Sequence, residues 1–351
     1  MIRLCGTLAI ALLWCGIATA QLPPVLRDGL NVAHWFRYPA RSGAADLCCD
    51  LSPGTLRQLR AAGVRFLRLP VQPALLRQPG ALQALQAAVR RVLASGLGVV
   101  VVPTPLRWNA GDPALDRAGL VAFWRLVAPV LAGFGSSRVF PEVMNEPVLT
   151  DPAAWPAMQL GVLAVIRRSL PGSTVIVTGA DWGGIDGLLK LPPLADPRVI
   201  YSFHFYEPAV LTALAAFDPG LERRVLARLP FPVSSVAACD AIGGDGRTAA
   251  VVRYYCAGRW DAATLAQRIG VVGAWAARHH ANVVVGEFGA AAALNARARR
   301  AWLSAARGAF TANGFGWALW GYDDPMGLNV SPMAHGVAPL DPGVMRALGW
   351  R

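Results

Sequence analysis

Residues 82–103 read Leu82-Gln83-Ala84-Leu85-Gln86-Ala87-Ala88-Val89-Arg90-Arg91-Val92-Leu93-Ala94-Ser95-Gly96-Leu97-Gly98-Val99-Val100-Val101-Val102-Pro103. The first part, residues 82–95, is amphipathic at helical period, and the second, residues 98–103, is a short unbroken β-branched run. An Ala/Leu/Arg helix leading into such a run is one unit of a parallel sheet with helical crossovers, because strands buried on both faces carry no polar alternation. Working outward, the same rhythm recurs along the chain. Strand candidates fall at residues 29–33, 64–69, 98–103, 139–145, 174–178, 199–205, 282–286 and 316–320. Helical stretches between them include residues 52–62, opened by Ser52-Pro53 as cap and first helical residue, and residues 262–280. Eight strand-then-helix units over this length predict an α/β fold of the (β/α)8 TIM-barrel type, closed as one catalytic domain over residues 21–351. A doubly wound sheet would want a Gly-rich phosphate turn after its first strand, and Asn31-Val32-Ala33-His34 is not one.

Two segments break the rhythm. Residues 207–260 separate the sixth strand from its helix and hold Pro230, Pro232, Gly243, Gly244, Gly246, Cys239 and Cys256, which predicts a long stapled loop on the catalytic face. Residues 332–351 read as a final loop and closing helix. At the other end, Met1-Ile2-Arg3 precedes an apolar run to Ile17 and then Ala18-Thr19-Ala20, the order of a secretory signal cleaved after Ala20. That run is short for a membrane span, so no stable membrane insertion is expected after cleavage, and the location is secreted or periplasmic. Loss of residues 1–20 takes Cys5 and Cys15 and leaves Cys48, Cys49, Cys239 and Cys256, an even number in an oxidising compartment. Cys239 with Cys256 is the preferred bridge, contributing roughly 3 kcal/mol in the loop-entropy picture. Adjacent Cys48 and Cys49 could bridge each other, stay reduced, or each reach across to the other loop.

The chain has 351 residues, 54% of them hydrophobic and 15% charged, which excludes disorder and allows a large core. Its formal charge is +12, and +12 less Arg3 gives +11 for the mature form, supplied almost wholly by Arg. A basic surface could hold the protein near acidic polysaccharide or an anionic envelope. The Arg residues are scattered without interleaved aromatics, so no nucleic-acid partner is expected. A monomer is expected.

In a barrel of this kind, polar residues at the C-terminal strand ends converge on one pocket. The fourth strand ends in Asn145-Glu146-Pro147, the sixth in His204-Phe205-Tyr206, the seventh in Gly286-Glu287-Phe288-Gly289 and the eighth in Trp320. The second delivers Arg68, and the first delivers His34-Trp35. Cleaving a glycosidic bond asks for two carboxyl groups, one to give a proton to the leaving oxygen and one to meet the oxocarbenium-like centre. Glu146 and Glu287 sit where their side chains can approach to about 5 Å, the separation of a retaining mechanism. Trp320 suits the floor under the scissile sugar, because a pyranose stacks its C–H faces on an indole. Trp35, Trp108 and Trp182 lie just past strands one, three and five, where they could line further subsites, and His34 is placed for a sugar contact.

In Met144-Asn145-Glu146-Pro147 and Val285-Gly286-Glu287-Phe288-Gly289, together with Arg68 in Phe66-Leu67-Arg68-Leu69-Pro70, the chain resembles glycoside hydrolase family 5, the cellulase family. The resemblance implies that Glu146 is the acid/base, that Asn145 binds the sugar 2-hydroxyl and that Glu287 is the nucleophile. It also implies that Arg68 and Tyr206 orient Glu287 and keep it ionised, and that His204 contacts the acid/base side of the cleft. The expected activity is a retaining endo-β-1,4-glucanase acting on β-linked polysaccharide without metal or cofactor. A β-mannanase or β-1,3-glucanase is the near alternative, and a non-catalytic carbohydrate-binding barrel the distant one. The chain departs from the family at strand three, which usually ends with a sugar-contacting His. Here Val101-Val102-Pro103-Thr104-Pro105 supplies none, leaving the contact to Thr104 or Trp108 or absent.

Overall fold

Eight strands follow the eight apolar runs in a computed structural model that describes residues 22–105, 113–216, 218–328 and 338–351. They are β1 Asp28–Asn31, β2 Phe66–Val71, β3 Gly98–Pro103, β4 Val139–Pro141, β5 Val175–Thr178, β6 Val199–Phe205, β7 Val283–Phe288 and β8 Gly316–Leu319. Residues 1–20, expected to be a signal, and Trp108 lie outside the described residues. All neighbours pair in parallel in the order β4-β3-β2-β1-β8-β7-β6-β5. The two edges meet where Glu142 bridges Ile176 and Val143 N donates to Ile176 O at 2.9 Å, so the sheet closes on itself.

Strand alternation sorts each side chain to one of two cores. Phe66, Val100, Phe140, Ile176, Ile200, Val284 and Ala318 point inward as one apolar layer, with Leu22 and Leu26 across the N-terminal end. The place of β1 in this layer belongs to Gly29, where a Cβ would stand 2.2 Å from the Phe66 ring. The alternate positions, among them Leu30, Leu67, Val99, Val101, Val177 and Phe203, face outward under the helices. One step further up the barrel the inward positions turn polar: Asn31, Arg68, Glu142, Thr178 and Ser202, all buried. The apolar layer therefore supports a polar one that opens on the mouth.

The seam between β4 and β5 lacks a full ladder, and side chains from the outer helices satisfy what it leaves open. Trp124, in helix Pro113–Ala132, donates Nε1 to Val143 O at 2.9 Å. From helix Trp155–Ser169, Trp155 Nε1 donates to Thr178 O at 2.7 Å and Gln159 Oε1 accepts from Thr178 N at 3.0 Å. Unpaired backbone groups buried here would each cost about 1–3 kcal/mol, so these residues substitute for strand pairing. The chain after Pro141 still bonds to both neighbours, Glu142 N to Val101 O at 3.0 Å, Val143 N to Ile176 O at 2.9 Å and Asn145 N to Pro103 O at 3.1 Å, and so delivers Asn145 and Glu146 to the mouth.

The helix Pro53–Ala62 starts as its sequence predicts, with Ser52 Oγ accepting from Thr55 N at 3.0 Å, and ends at Gly63 with φ +119°. Residues 207–260 correct the expectation of a long loop. They hold four helices, Ala209–Thr212, Arg223–Leu226, Val236–Asp240 and Gly246–Ala257. The turn-forming residues delimit these helices: Gly243 and Gly244 take φ +71° and +126° between the last two. Asp245 then caps the next with Oδ1 on Thr248 N at 2.7 Å. Cys239 and Cys256 are bonded across that pair with Cα atoms 5.7 Å apart. Cys48 and Cys49 are bonded to each other, the vicinal alternative of the three. Among the described residues no helix is long and apolar enough to cross a membrane.

Candidate active site

Arg68, brought to the polar layer by β2, makes five hydrogen bonds while only 1% exposed. Nε and Nη2 donate to Glu142 Oε2 and Oε1 at 2.7 and 2.9 Å, a bidentate pair. Nη1 donates to Glu287 Oε1 at 2.6 Å and Asn31 Oδ1 at 3.0 Å, and Nη2 also reaches Asn145 Oδ1 at 2.8 Å. Asn31 is itself anchored through Nδ2 to Gly286 O at 3.0 Å and Leu319 O at 3.2 Å. One guanidinium thus joins strands β1, β2 and β7 to the segment after β4. With its Oδ1 on Arg68, Asn145 is left with Nδ2 as its remaining donor.

Glu287 takes two donors, Arg68 on one oxygen and Tyr206 OH on Oε2 at 3.1 Å. Burial opposes ionisation of this carboxyl. The positive charges of His204 and Arg68, with Arg37 farther off, and the Arg68 hydrogen bond outweigh that cost and hold it below its ordinary value. Burial and the Glu287 charge push the Tyr206 phenol well above its ordinary value, so it stays a neutral donor.

Glu146 follows β4 with a φ of +41°, a left-handed conformation that a Glu adopts only when its surroundings impose it. Its Oε1 lies 2.9 Å from His204 Nδ1, which also stands 3.5 Å from Glu287 Oε2. Burial would lower the His204 pKa, but the charge of Glu287 and the hydrogen bond and charge of Glu146 raise it above its ordinary value. Gly286 makes room for this imidazole, since a Cβ there would meet Ser202 Oγ at 2.7 Å and His204 Nε2 at 3.1 Å. The oxygens of Glu146 and Glu287 and the His204 nitrogen lie within 4.8 Å of one another. Three such donors could share a cation, yet the Arg68 guanidinium already occupies Glu287 and would repel a second positive charge. The set suits proton transfer and attack across one sugar-sized gap.

Around that gap, Trp320 follows β8, half-buried, with the Arg37 guanidinium 5.4 Å from its ring centroid. Trp182 stands on the turn after β5, 63% exposed, with φ +59°. The same turn brings Gly183 close to Glu146 and His204. His34 is half-buried at 3.5 Å from Asp323, in the loop after β8. Two expectations are corrected. Trp35 is fully buried, packed on Phe36 with its Nε1 donating to Leu47 O at 2.6 Å, so it braces the loop after β1 and lines no subsite. Thr104 is 1% exposed, its N–H donating to Val71 O at 2.7 Å, and cannot stand in for a sugar-binding His.

Sequence reasoning missed Asn31, Glu142 and Arg37. The first two carried a signal: each is a polar residue at the inward position of an otherwise apolar strand, two residues beyond Gly29 and Phe140 of the layer below. Arg37 lies past the end of β1 on a short helical turn, Ala33–Phe36, and no periodicity marks it.

A barrel whose fourth and seventh strands bring two glutamates together over an arginine hub belongs to the class of acid-pair barrel hydrolases. The cellulase family, glycosyl hydrolase family 5, matches residues 48–324, and the chain belongs to that family. It is similar to Endoglucanase 3 of Fibrobacter succinogenes, 28% identical over 258 residues, a match covering 69% of this chain and 37% of that protein. The chain therefore spans little more than a third of this relative's length. Its fold is similar to endoglucanase Cel5A of Thermotoga maritima (TM-score 0.74, 19% identity, 92% of this chain and 97% of that one). It is similar too to the cellulose synthase subunit Z of Clostridioides difficile (TM-score 0.72, 19% identity, 92% and 99%).

Proposed function

We propose that the protein is a retaining endo-β-1,4-glucanase, exported and acting as a monomeric single domain over residues 21–351. The observation that carries the reading is the 4.8 Å limit on the spread of the Glu146, His204 and Glu287 donor atoms, with Glu287 held ionised and Glu146 half-open to the cleft. Carboxyl groups about 5 Å apart leave no room for an intervening water, so the second must attack carbon directly. In the first step Glu287 forms a bond to C1 while Glu146 gives its proton to the departing glycosidic oxygen. In the second, Glu146 takes a proton from water, which attacks C1 and releases Glu287. Asn145 Nδ2 donates to the 2-hydroxyl, a contact that strengthens as charge builds on the ring. Trp320 supports the glycone sugar and Trp182, beside the acid/base, the leaving one. The succession of a basic start, an apolar run and small residues over positions 1–20 and the two disulfides support export.

The test is release of reducing sugar from soluble β-1,4-glucan, β-1,3-glucan and mannan, with the product anomer followed by NMR in the first minutes. Mannan belongs in the panel because Thermotoga maritima Cel5A has been crystallised with mannotriose. The expected outcome is turnover of β-1,4-glucan with β-anomer formed first and none in Glu287→Ala. An α-anomer first, or an active Glu287→Ala, removes Glu287 as nucleophile.

A further inference from the structure

Arg37 is a cation at the mouth that makes no ion pair among the described residues, its charge reaching Glu287 only from farther off. Among the described residues no carboxylate lies within ion-pair distance of it, whereas Arg68, Arg167, Arg247, Arg268 and Arg299 are all paired. Its guanidinium lies 4.8 Å from the Tyr38 ring centroid and 5.4 Å from that of Trp320, and its Nε is buried with no acceptor. Ring faces hold a guanidinium by its plane and leave its rim N–H groups to donate elsewhere. A half-buried charge with an unsatisfied donor is costly, and folded proteins keep such groups mainly where function or a bound partner compensates.

Orienting the nucleophile does not account for it. Both Glu287 oxygens already have donors, Arg68 and Tyr206, and Arg37 touches neither. A neutral glucan needs no charge beside its stacking platform. A pyranose stacked on the free part of Trp320 with its exocyclic C6 group toward Arg37 would bring a carboxylate there to the planar fork that guanidinium binds bidentately. The other charges of the mouth are Glu146 with His204, Glu287 with Arg68, His34 with Asp323, and Asp324; Asp323 stands 3.5 Å from His34 and Asp324 accepts from Met326 N at 2.7 Å. We infer that Arg37 and Trp320 together form a glycone subsite for a sugar bearing a carboxylate, so that the substrate is an acidic β-linked polysaccharide of uronic-acid character. The inference rests on the glucanase reading and narrows its substrate. A chain with 33 basic and 21 acidic residues would draw such a polymer in.

The experiment separates binding from turnover. Glu287→Gln protein is titrated calorimetrically with a β-1,4-glucan tetrasaccharide and with the same chain oxidised to the carboxylate at C6. The oxidised chain is expected to bind about tenfold or more tightly at low salt, a preference that shrinks as salt rises and disappears in Glu287→Gln/Arg37→Met. Equal binding, a preference for the neutral chain, or a preference that survives in the double variant overturns the inference. Should the double variant fail to fold, the salt series decides instead: a salt-independent preference, or none, overturns it. Absence of turnover by the wild-type protein on every glucan would count against the glucanase reading while leaving this comparison readable.

Discussion

At the scale of single residues, Arg68 decides whether the site holds together. It is the shared partner of two buried carboxylates, Glu142 and Glu287, whose side chains are 1% and 4% exposed. Removing one member of a buried charged set leaves the others uncompensated, at about 3–5 kcal/mol. Arg68→Met is therefore expected to destabilise by that amount in denaturant titration and, through a displaced Glu287, to lower kcat by about 100-fold or more. A variant with unchanged midpoint and activity would show that the hub is dispensable. Glu287, Glu146 and Arg68 were legible in the sequence because they sit in short motifs at strand ends. Glu142 was not, although it forms half of the hub, because it precedes the motif and its partner is 74 residues away in sequence.

Among the elements, strand positions were the most legible, since β-branched runs buried on both faces admit little else, and β3 and β6 fall on the residues expected. Strand ends were less so: β4 stops at Pro141 although apolar residues continue to Met144. Hydrophobicity alone does not reveal that this stretch goes on bonding to β3 and β5 by single contacts and so positions Glu146. The region 207–260 misled for the opposite reason, as its Pro and Gly residues punctuate short helices and the helices' own turns are too brief to show a period. The incompletely paired seam between β4 and β5 yields a prediction. Gln159→Leu removes the acceptor of Thr178 N–H without adding a replacement, so it should cost about 1–3 kcal/mol. Amide hydrogen exchange should show Thr178 opening first, before β2 and β3. Uniform loss of protection across the sheet would mean that the seam is no weaker than the rest.

For the molecule as a whole, three buried groups at the mouth pull stability in different directions with pH. Glu287 has a folded pKa below its ordinary value, so its contribution is present above the unfolded value and is lost as pH falls through the folded one. His204 has a raised folded pKa, so its contribution is complete below the ordinary imidazole value and fades as pH climbs through the folded value. Asp324, pushed up to about 6 by burial and by the charges of Asp323 and Glu287, works in the same sense as His204. Its folded state binds the proton more tightly than the unfolded chain, whose carboxyl titrates near 3.8, and deprotonation across that interval costs roughly 3 kcal/mol. The thermal midpoint should accordingly peak near about pH 4, falling at lower pH as Glu287 protonates, declining from about pH 4 to about pH 6 as the proton of folded Asp324 is lost, and declining further above the ordinary imidazole value as His204 loses its own. Asp324→Asn, neutral at every pH and still able to accept from Met326 N, should flatten much of the decline between pH 4 and 7 and raise stability at the upper end. Midpoints read by calorimetry across pH 3–8 decide it: an Asn variant whose profile parallels the parent would show that Asp324 is already ionised at the mouth and that its burial costs the fold little.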